Sequence, residues 1–244
     1  MTEPQIVSYQ LDDKIAIITM NDGDKNLMSP TMLDAVNSAL DKAKKEATVV
    51  IITGHAEILS AGFDLKILKS GAGQTFKMLN DGFALTTRLL SFKTPVVIAC
   101  PGHAIAMGAF ILLSGDYRIG TTGPYKIMAN EVAIGLTMPA TAIEVCKQRL
   151  TPAHFVRAVT QSEEYNPASA VEAGFLDRVV APEQLLEEAK KEALRLSTLD
   201  TNAYYQTKLR VRRHVIKALK RANRFDKFDI IRLGVNRMFK KKKK

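Results

Sequence analysis

The sequence of 244 residues contains only two cysteines, Cys100 and Cys146, and both lie in apolar surroundings. Their spacing is that of neither a metal site nor a redox pair, so we expect two reduced thiols in the core of a cytoplasmic protein. Histidine is also scarce, and none of the four histidines pairs with another at the spacing of metal ligands. The sequence therefore predicts a protein without a metal site.

Long apolar runs are missing too. The longest, residues 104–113, is interrupted by Gly108 and is far shorter than the roughly 20 residues of a membrane span. The N-terminus is polar and acidic, so we expect no signal peptide. The patterns G-x-G-x-x-G and G-x-x-x-x-G-K-[ST] are absent, which argues against a nucleotide-binding fold. What is present, 46% apolar and 25% charged residues, is typical of a globular protein.

Charge is distributed unevenly along the chain, whose net charge is +10. Residues 208–244 contain 16 lysines and arginines but only two aspartates, whereas the preceding part is mildly acidic. Such a segment suits the phosphates of a ligand, nucleic acid, an anionic surface or simply a solvated helix face. We expect a solvated face first, ligand phosphates met across a subunit boundary second, and nucleic acid third, because no nucleic-acid-binding motif accompanies the charge.

The spacing of apolar residues predicts a mixed α and β chain. Strands are predicted at residues 6–11, 14–20, 48–53, 95–100, 117–120 and 125–127. Helices are predicted at residues 30–47, 75–91, 104–113 and 183–196, with a helical stretch before residue 75 broken by Gly71 and Gly73 and helical signals from Pro139 onward. Ser29 suits the N-cap of the first helix and Pro30 its first position.

Three segments stand out as candidates for a functional site: residues 60–66, 101–109 and 130–139. The first two are turns of small residues that lead into a helix, whose first N–H groups lack partners within the helix. Two such helix ends directed at one point form an oxyanion hole, in which each donor is worth a few kcal/mol. Taken singly, however, either segment is more typical of a packing turn between a strand and a helix.

In this order and spacing, the segments resemble the crotonase family of enoyl-CoA hydratases and isomerases. Residues 61–66, Ala-Gly-Phe-Asp-Leu-Lys, match that family's A-G-[AF]-D-[IL]-K motif. Residues 101–108 match in part its P/N-G-x-A-x-G-G-G motif, and Asp116 matches the aspartate that ends it. Residues 25–31 resemble its K/R-N-A-[LM]-[SN] segment, residues 130–139 its [PN]-E-x-x-[IL]-G-[IL]-x-x-P segment, and residues 170–180 resemble a further stretch loosely.

The resemblance implies an α/β fold, a crotonase-type spiral of ββα units with a helical C-terminal region. We expect a core at residues 1–195 and a basic helical region at 196–244 that serves oligomerisation or caps the ligand. It also implies a homotrimer or hexamer and an acyl-CoA substrate, with no cofactor besides this coenzyme A thioester. The N–H groups of Phe63 and Met107 would bind the thioester oxygen. The coenzyme A moiety would lie along Ala61, Asp64, Leu65 and Lys66, with Lys25 and Leu27 near its nucleotide end.

Carboxylates distinguish the reactions of this family. Its hydratases use two glutamates, of which the second matches Glu131, whereas Phe110 occupies the position of the first. One carboxylate suffices to move a proton from C2 to C4 of a 3-enoyl thioester, so the pattern favours a Δ3,Δ2-enoyl-CoA isomerase with Phe110 as an apolar wall of the acyl site. The alternatives are an enoyl-CoA hydratase or another acyl-CoA lyase of the family, and a non-catalytic protein that binds acyl-CoA or polyanions.

Two departures from the family pattern concern the acyl site. Ala106 and Met107 stand where the second motif has glycines, and residues 140–142 replace a glycine stretch. A backbone N–H survives any substitution except proline, so the donor at Met107 is retained. The added side chains predict an acyl site of altered shape.

Overall fold

Two β-sheets form the framework of the protein in the computed structural model, which describes residues 5–226. In chain order the strands are β1 (Val7–Asp12), β2 (Ile15–Met20), β3 (Val49–Thr53), β4 (Ile58–Ser60), β5 (Val96–Cys100), β6 (His103–Ile105), β7 (Tyr117–Thr121), β8 (Ile127–Met128) and β9 (Arg178–Val180). The large sheet has the order β1-β2-β3-β5-β7-β9 and the small sheet the order β4-β6-β8. Among these nine strands, β1 and β2 pair antiparallel and the other pairs are parallel.

Helices connect the strands and complete the core. They are α1 (Pro30–Glu46), α2 (Leu65–Ser70), α3 (Ala72–Leu90), α4 (Met107–Ser114), α5 (Ala140–Lys147), α6 (Pro152–Thr160), α7 (Pro167–Ala173), α8 (Leu185–Ser197) and α9 (Thr201–Val211), with short 3-10 helices at Val132–Ile134 and Pro182–Gln184. Residues 213–226 are also helical. This mixed architecture confirms the predicted fold class and its helical C-terminal region, whereas the division at residue 195 stays a prediction and falls within α8.

The large sheet is buried on both faces, as the continuous apolar runs of β3 and β5 predict. Alternate residues point to opposite faces, so Val50 and Ile52 join the larger apolar cluster while Val49 and Ile51 join the smaller one. Helix α8 covers the smaller cluster with a row of apolar side chains. The other helices pack mainly on the opposite face, where the small sheet also lies.

Several predicted elements agree closely with the structure. The N-cap of α1 is Ser29, whose hydroxyl accepts a hydrogen bond from the N–H of Met32 at 3.2 Å, and Pro30 is its first residue. The predicted hairpin is β1 and β2, and the predicted strands at residues 48–53 and 95–100 are β3 and β5. Local sequence signals are sufficient here because each element carries its own cap, turn or apolar run.

Four predictions of local structure are wrong. Residues 104–113 are not one helix, because Ala104 and Ala106 donate backbone hydrogen bonds to the chain at β8 and so extend β6 before α4 begins. Gly73 does not break a helix, since it lies in α3 with open space beside it. The strand expected at 125–127 is β8, shifted toward the C-terminus, and β9 interrupts the region that was expected to be helical.

Two basic residues of the C-terminal segment are buried, which corrects the expectation of a fully solvated face. Lys208 lies 2.6 Å from Oδ2 of Asp116, and Arg212 lies 2.7 Å from Oδ1. Burial lowers the pKa of Lys208 to about 8, although the charge of Asp116 acts in the opposite direction. Six further cations in the described part of the segment are exposed: Arg210, Arg213, Lys217, Lys220, Arg221 and Arg224. The tail of Lys240 to Lys244 lies outside the described residues.

Membrane insertion finds no support in the helices of residues 5–226. None of them combines the length and the hydrophobicity that a bilayer span requires.

Candidate active site

The small sheet brings the three predicted segments to one place. Its strands β4, β6 and β8 run parallel, so their carboxyl ends meet at the same edge. Residues 61–64 follow β4, residues 106–107 follow β6, and residues 130–131 follow β8. The order of the motifs along the chain thus becomes an arrangement side by side, which is what a shared site requires.

The first two segments touch at their backbones. Gly62 has a φ of +99°, and a Cβ built on it would lie 2.9 Å from Cβ of Ala106 and 3.5 Å from the amide nitrogen of Met107. Glycine is required here by both the positive φ and the close approach. Met107 is the first residue of α4, and neither its N–H nor that of Phe63 has a hydrogen-bond acceptor among the described residues. The predicted pair of oxyanion donors is therefore brought together, with both N–H groups free.

The residues predicted to lie along coenzyme A come from two joined loops. The N–H of Ala61 donates to the carbonyl oxygen of Lys25 at 3.0 Å, and the N–H of Met28 donates to that of Gly62 at 2.8 Å. Lys25 is exposed, and Leu27 is half-buried. These two predicted nucleotide-end residues thus lie beside the oxyanion segment, although they precede it by more than thirty positions.

The aspartate of the first motif, Asp64, lies at the start of α2. Asp64 is the N-cap, and its Oδ1 accepts a hydrogen bond from the N–H of Lys66 at 2.7 Å. The side chains of Leu65 and Lys66 are exposed on this first turn. Asp64 therefore shapes the loop, while Leu65 and Lys66 are available to a ligand that lies on the surface there.

Glu131 is a buried carboxyl group with a free oxygen. Its residue is only 7% exposed, and Oε2 has no hydrogen-bond partner among the described residues. Burial raises the pKa of Glu131 to about 7, because the charged form loses its hydration. A carboxyl group that is half ionised near neutral pH suits both the uptake and the return of a proton.

Helix α5 carries Cys146, which lies close enough to Glu131 for the charge of the carboxylate to act on its thiol. Burial raises the pKa of the Cys146 thiol, and the negative charge of Glu131 raises it further. The thiol is fully buried and is therefore a neutral neighbour of the carboxylate. Cys146 belongs to the wall of the site, a position that its apolar sequence surroundings did not reveal.

An aromatic cluster closes the space beside the oxyanion donors. The ring of Phe83 in α3 lies 5.8 Å from that of Phe63 and 6.3 Å from that of Phe110, measured between centroids. Phe110 and Met107 are fully buried. A Cβ built on Gly82 would lie 2.5 Å from the Phe63 ring and 3.6 Å from Cε of Met107. The side chains of Met107 and Phe110 therefore lie between α3 and α4, and the altered acyl site stays a prediction.

The N-cap of α4 has an unusual backbone conformation. Ala106 has φ +50° and ψ −118°, which an L-residue with a Cβ adopts at a cost of about 1–3 kcal/mol. Its N–H is bound to the carbonyl oxygen of Met128 at 2.9 Å, so β8 helps to hold this conformation. The strain lies directly before the proposed donor at Met107.

Sequence reasoning missed several residues that hold the site in shape. The carboxylate of Asp22 accepts hydrogen bonds from the N–H groups of Asp24, Asn26 and Leu27. The buried amide of Asn26 donates to the carbonyl oxygens of Met20 and Leu59. Both residues fix the shape of the loop that carries Lys25 and Leu27. The sequence indicated only a loop rich in Asn, Asp and Gly at this place. Nδ1 of His103 accepts a hydrogen bond from the N–H of Lys126 at 3.0 Å, which fixes the orientation of this ring.

No metal site accompanies this arrangement in residues 5–226. The His, Cys, Asp and Glu side chains of this part of the chain nowhere form a group of three or more that is suited to hold a metal ion.

Solved structures share this fold over nearly the whole chain, and they define the class as that of acyl-CoA enzymes of the crotonase type. An enoyl-CoA hydratase, EchA3, from Mycobacterium marinum superposes with a TM-score of 0.89 at 42% identity, covering 92% of this chain and 99% of that one. A Mycobacterium tuberculosis structure described as an enoyl-CoA isomerase gives a TM-score of 0.88 at 41% identity, covering 91% and 97%.

A family model gives the assignment at the level of sequence. The model described as enoyl-CoA hydratase/isomerase matches residues 10–232, so the chain belongs to that family and is an enzyme of it. The curated enoyl-CoA delta isomerase 3 of Arabidopsis thaliana is 32% identical over 130 residues, which are 50% of this chain and 55% of that relative. The chain thus spans about half the length of this curated relative, and the family resemblance seen in the motifs is confirmed.

Proposed function

We propose that the protein isomerises 3-enoyl-CoA to 2-enoyl-CoA with Glu131 as its single acid and base. The observation that supports this most directly is a buried carboxyl group with a free oxygen and a pKa of about 7, beside two free backbone N–H groups. Relatives named isomerase and hydratase are equally similar to this chain, so the choice rests on the residues of the site.

In the proposed reaction, Glu131 removes a proton from C2 of the 3-enoyl thioester. The electron pair of the C–H bond moves into the C1–C2 bond and the thioester carbonyl becomes an enolate oxygen, which the N–H groups of Phe63 and Met107 stabilise. The enolate then collapses, the double bond moves to C2–C3, and the protonated Glu131 returns its proton to C4. The proton count is unchanged, so neither water nor a cofactor takes part.

Phe110 favours isomerisation over hydration. Hydration needs a second carboxylate to orient water, and by the family resemblance that carboxylate would stand where Phe110 lies. Phe110 is fully buried in an aromatic cluster and has no polar atom in its side chain. An apolar wall at this point keeps water from the enolate, which protects the intermediate until the proton returns.

The substrate is proposed to bind with its coenzyme A moiety along Ala61, Asp64, Leu65 and Lys66 and its nucleotide end toward Lys25 and Leu27. The exposed lysines carry charges opposite to those of the phosphates. We also propose that the protein is a homotrimer or hexamer and uses no further cofactor. Light scattering on the purified protein tests the assembly, because the mass must then be three or six times that of one chain.

A paired spectrophotometric assay tests the reaction. Purified protein is given 3-enoyl-CoA and 2-enoyl-CoA separately, and we expect isomerisation of the first and little hydration of the second. Glu131→Gln keeps the shape but removes the base, so isomerisation should fall by roughly 10²–10⁴-fold. Glu144→Gln, in the neighbouring α5, is the matched control and should retain activity. Efficient hydration without isomerisation would refute the proposal, as would full activity of Glu131→Gln.

A further inference from the structure

A carboxylate near the C-terminal end of the described chain caps helix α5. Oδ1 of Asp226 accepts a hydrogen bond from the N–H of Ala140 at 2.8 Å. Oδ2 accepts two more, from the N–H of Thr141 at 2.8 Å and from its hydroxyl at 2.6 Å. Asp226 is only 8% exposed, and it lies 86 residues from Ala140 along the chain. One buried side chain thus satisfies two of the free N–H groups of this helix.

Helix α5 has no cap of its own. Its N-cap residue is Pro139, which makes no side-chain hydrogen bond to the helix, and its first turn contains no acidic residue. The negative charge of an aspartate at this end is favoured by the helix dipole as well as by the hydrogen bonds. A serine or aspartate next to a helix normally caps it. Here Asp226, at the end of the C-terminal helix, caps α5 instead.

The capped helix begins where the segment that carries Glu131 ends. Between β8 and α5, the N–H of Ala133 donates to Oγ of Ser162 at 3.1 Å and so ties this segment to another part of the chain. The N–H of Leu136 donates to the carbonyl oxygen of Glu131 at 2.8 Å, which is a contact within the segment. Its apolar side chains Val132, Ile134 and Leu136 are exposed. The position of Glu131 consequently depends on how firmly the two ends of the segment are held.

The C-terminal helix, residues 213–226, is itself fixed to the core by buried side chains that precede Asp226. Leu219 is fully buried and Ala222 nearly so, and Leu219 belongs to the larger apolar cluster. Asp226 follows one turn after Ala222. The hydrogen bonds to α5 therefore connect the Glu131 segment to an anchored helix rather than to a free end.

We infer that Asp226 is a positioning residue for Glu131. By fixing the start of α5 to the C-terminal helix, its carboxylate holds the Glu131 carboxyl group in its buried place beside the Phe63 and Met107 N–H groups. The inference rests on the proposed function for its effect on rate, but the effect on the order of the segment is independent of any reaction.

The test compares Asp226→Asn with Asp200→Ala. Asparagine keeps the size of the side chain but removes the charge and one acceptor oxygen. Asp200 also caps a helix, accepting a hydrogen bond from the N–H of Ala203 at 2.7 Å, but that helix is α9. We expect Asp226→Asn to lower kcat by roughly 10-fold with KM nearly unchanged, because a displaced base slows the chemical step more than binding. Asp200→Ala should leave both constants close to those of the wild type.

Two further readouts separate positioning from general loss of stability. In Asp226→Asn the pKa seen in the pH profile of kcat/KM should move down from about 7 toward the ordinary value of 4.5, because a loosened Glu131 is better hydrated. Amide hydrogen exchange measured by mass spectrometry should rise in peptides covering residues 130–141, and it should stay unchanged there in Asp200→Ala. The exchange measurement decides the inference even when the wild type has no isomerase activity, which would refute only the proposed function.

Wild-type exchange in residues 130–141 of Asp226→Asn would overturn the inference. Equal losses in Asp200→Ala would assign the effect to stability alone. If Asp226→Asn does not fold, Thr141→Val replaces it, since valine matches threonine in shape and removes only the 2.6 Å hydrogen bond. The same changes at smaller size are then expected, and their absence in folded Thr141→Val would refute the inference.

Discussion

The ammonium nitrogen of Lys208 lies 2.6 Å from Oδ2 of Asp116, with both side chains nearly completely buried. Arg212 contacts the other carboxylate oxygen, and the N–H of Val96 also donates to Oδ2. One aspartate that ends the second motif is thus bound by two cations from the last part of the described chain. This contact attaches α9 to the end of α4.

Removal of the shared carboxylate is expected to cost far more than removal of one cation. Asp116→Asn leaves two buried cations without their counter-charge and should lower the free energy of unfolding by about 3–5 kcal/mol. Lys208→Met leaves Asp116 paired with Arg212, so its cost should be clearly smaller. Urea denaturation at pH 7 measures both. The exposed pair of Glu187 and Lys191 is the control, since Glu187→Gln should cost less than about 1 kcal/mol of the free energy of unfolding. Equal costs for Asp116→Asn and Glu187→Gln would contradict the prediction.

The rate of isomerisation should depend on pH through Glu131. Its pKa is raised to about 7, and the reaction begins with the ionised form. We expect kcat/KM to rise about tenfold per pH unit below 7 and to level off above it. The pH profile of the purified enzyme with 3-enoyl-CoA measures this, and an inflection near pH 4.5 would show that Glu131 is hydrated and not buried as described.

The same carboxyl group should make stability depend on pH in the opposite sense. The folded protein holds the proton of Glu131 up to about pH 7, whereas the unfolded chain releases it near 4.5. The stabilising contribution is therefore complete below pH 4.5 and is lost as the pH rises through 7, by a total of about 3 kcal/mol. Glu131→Gln lacks this loss, so its stability relative to the wild type should grow by that amount between pH 4.5 and 8 in denaturant titrations. A difference that is constant with pH would disprove the assignment.

Replacement of Ala106 by glycine should stabilise the fold. Ala106 has φ +50° and ψ −118°, a region that glycine adopts without strain. The relief of about 1–3 kcal/mol exceeds the 0.4–1 kcal/mol that glycine costs by loosening the unfolded chain. We expect a net gain of about 1 kcal/mol in thermal or urea unfolding. Ala104→Gly, in β6 with no positive φ, is the control and should destabilise.

Two glycines of α3 should respond in opposite ways to alanine. A Cβ on Gly82 would lie 2.5 Å from the ring of Phe63, so Gly82→Ala must displace that ring, and we expect the N–H of Phe63 to move with it. We expect weaker stabilisation by acyl-CoA in thermal-shift measurements and a lower kcat. Gly73 has nothing within 4 Å, and Gly73→Ala should raise stability by roughly 0.5–1 kcal/mol without loss of activity. A fully active Gly82→Ala enzyme would mean that the Phe63 ring moves without its backbone.

The sequence predicted those parts of the fold and site that depend on neighbours in the chain. Ser29 caps α1 from three residues away and Asp64 caps α2 from two residues away, so both contacts are local. The boundary between β6 and α4 was not predictable, since residues 104–107 are as apolar as the helix that follows, and pairing with β4 and β8 makes Ala104 a strand residue. The cap at Asp226 spans 86 residues and leaves no local signal.

The parallel arrangement of β4, β6 and β8 assigns the tasks of the site to separate lengths of chain. The residues proposed to hold the acyl oxygen follow β4 and β6, whereas the residue proposed to move the proton follows β8. Exchange of residues 130–139 is therefore expected to change the chemistry while the proposed oxyanion hole stays intact. Because of this division, the loop after one strand can be replaced to introduce a new reaction, while the loops proposed to bind the thioester are kept.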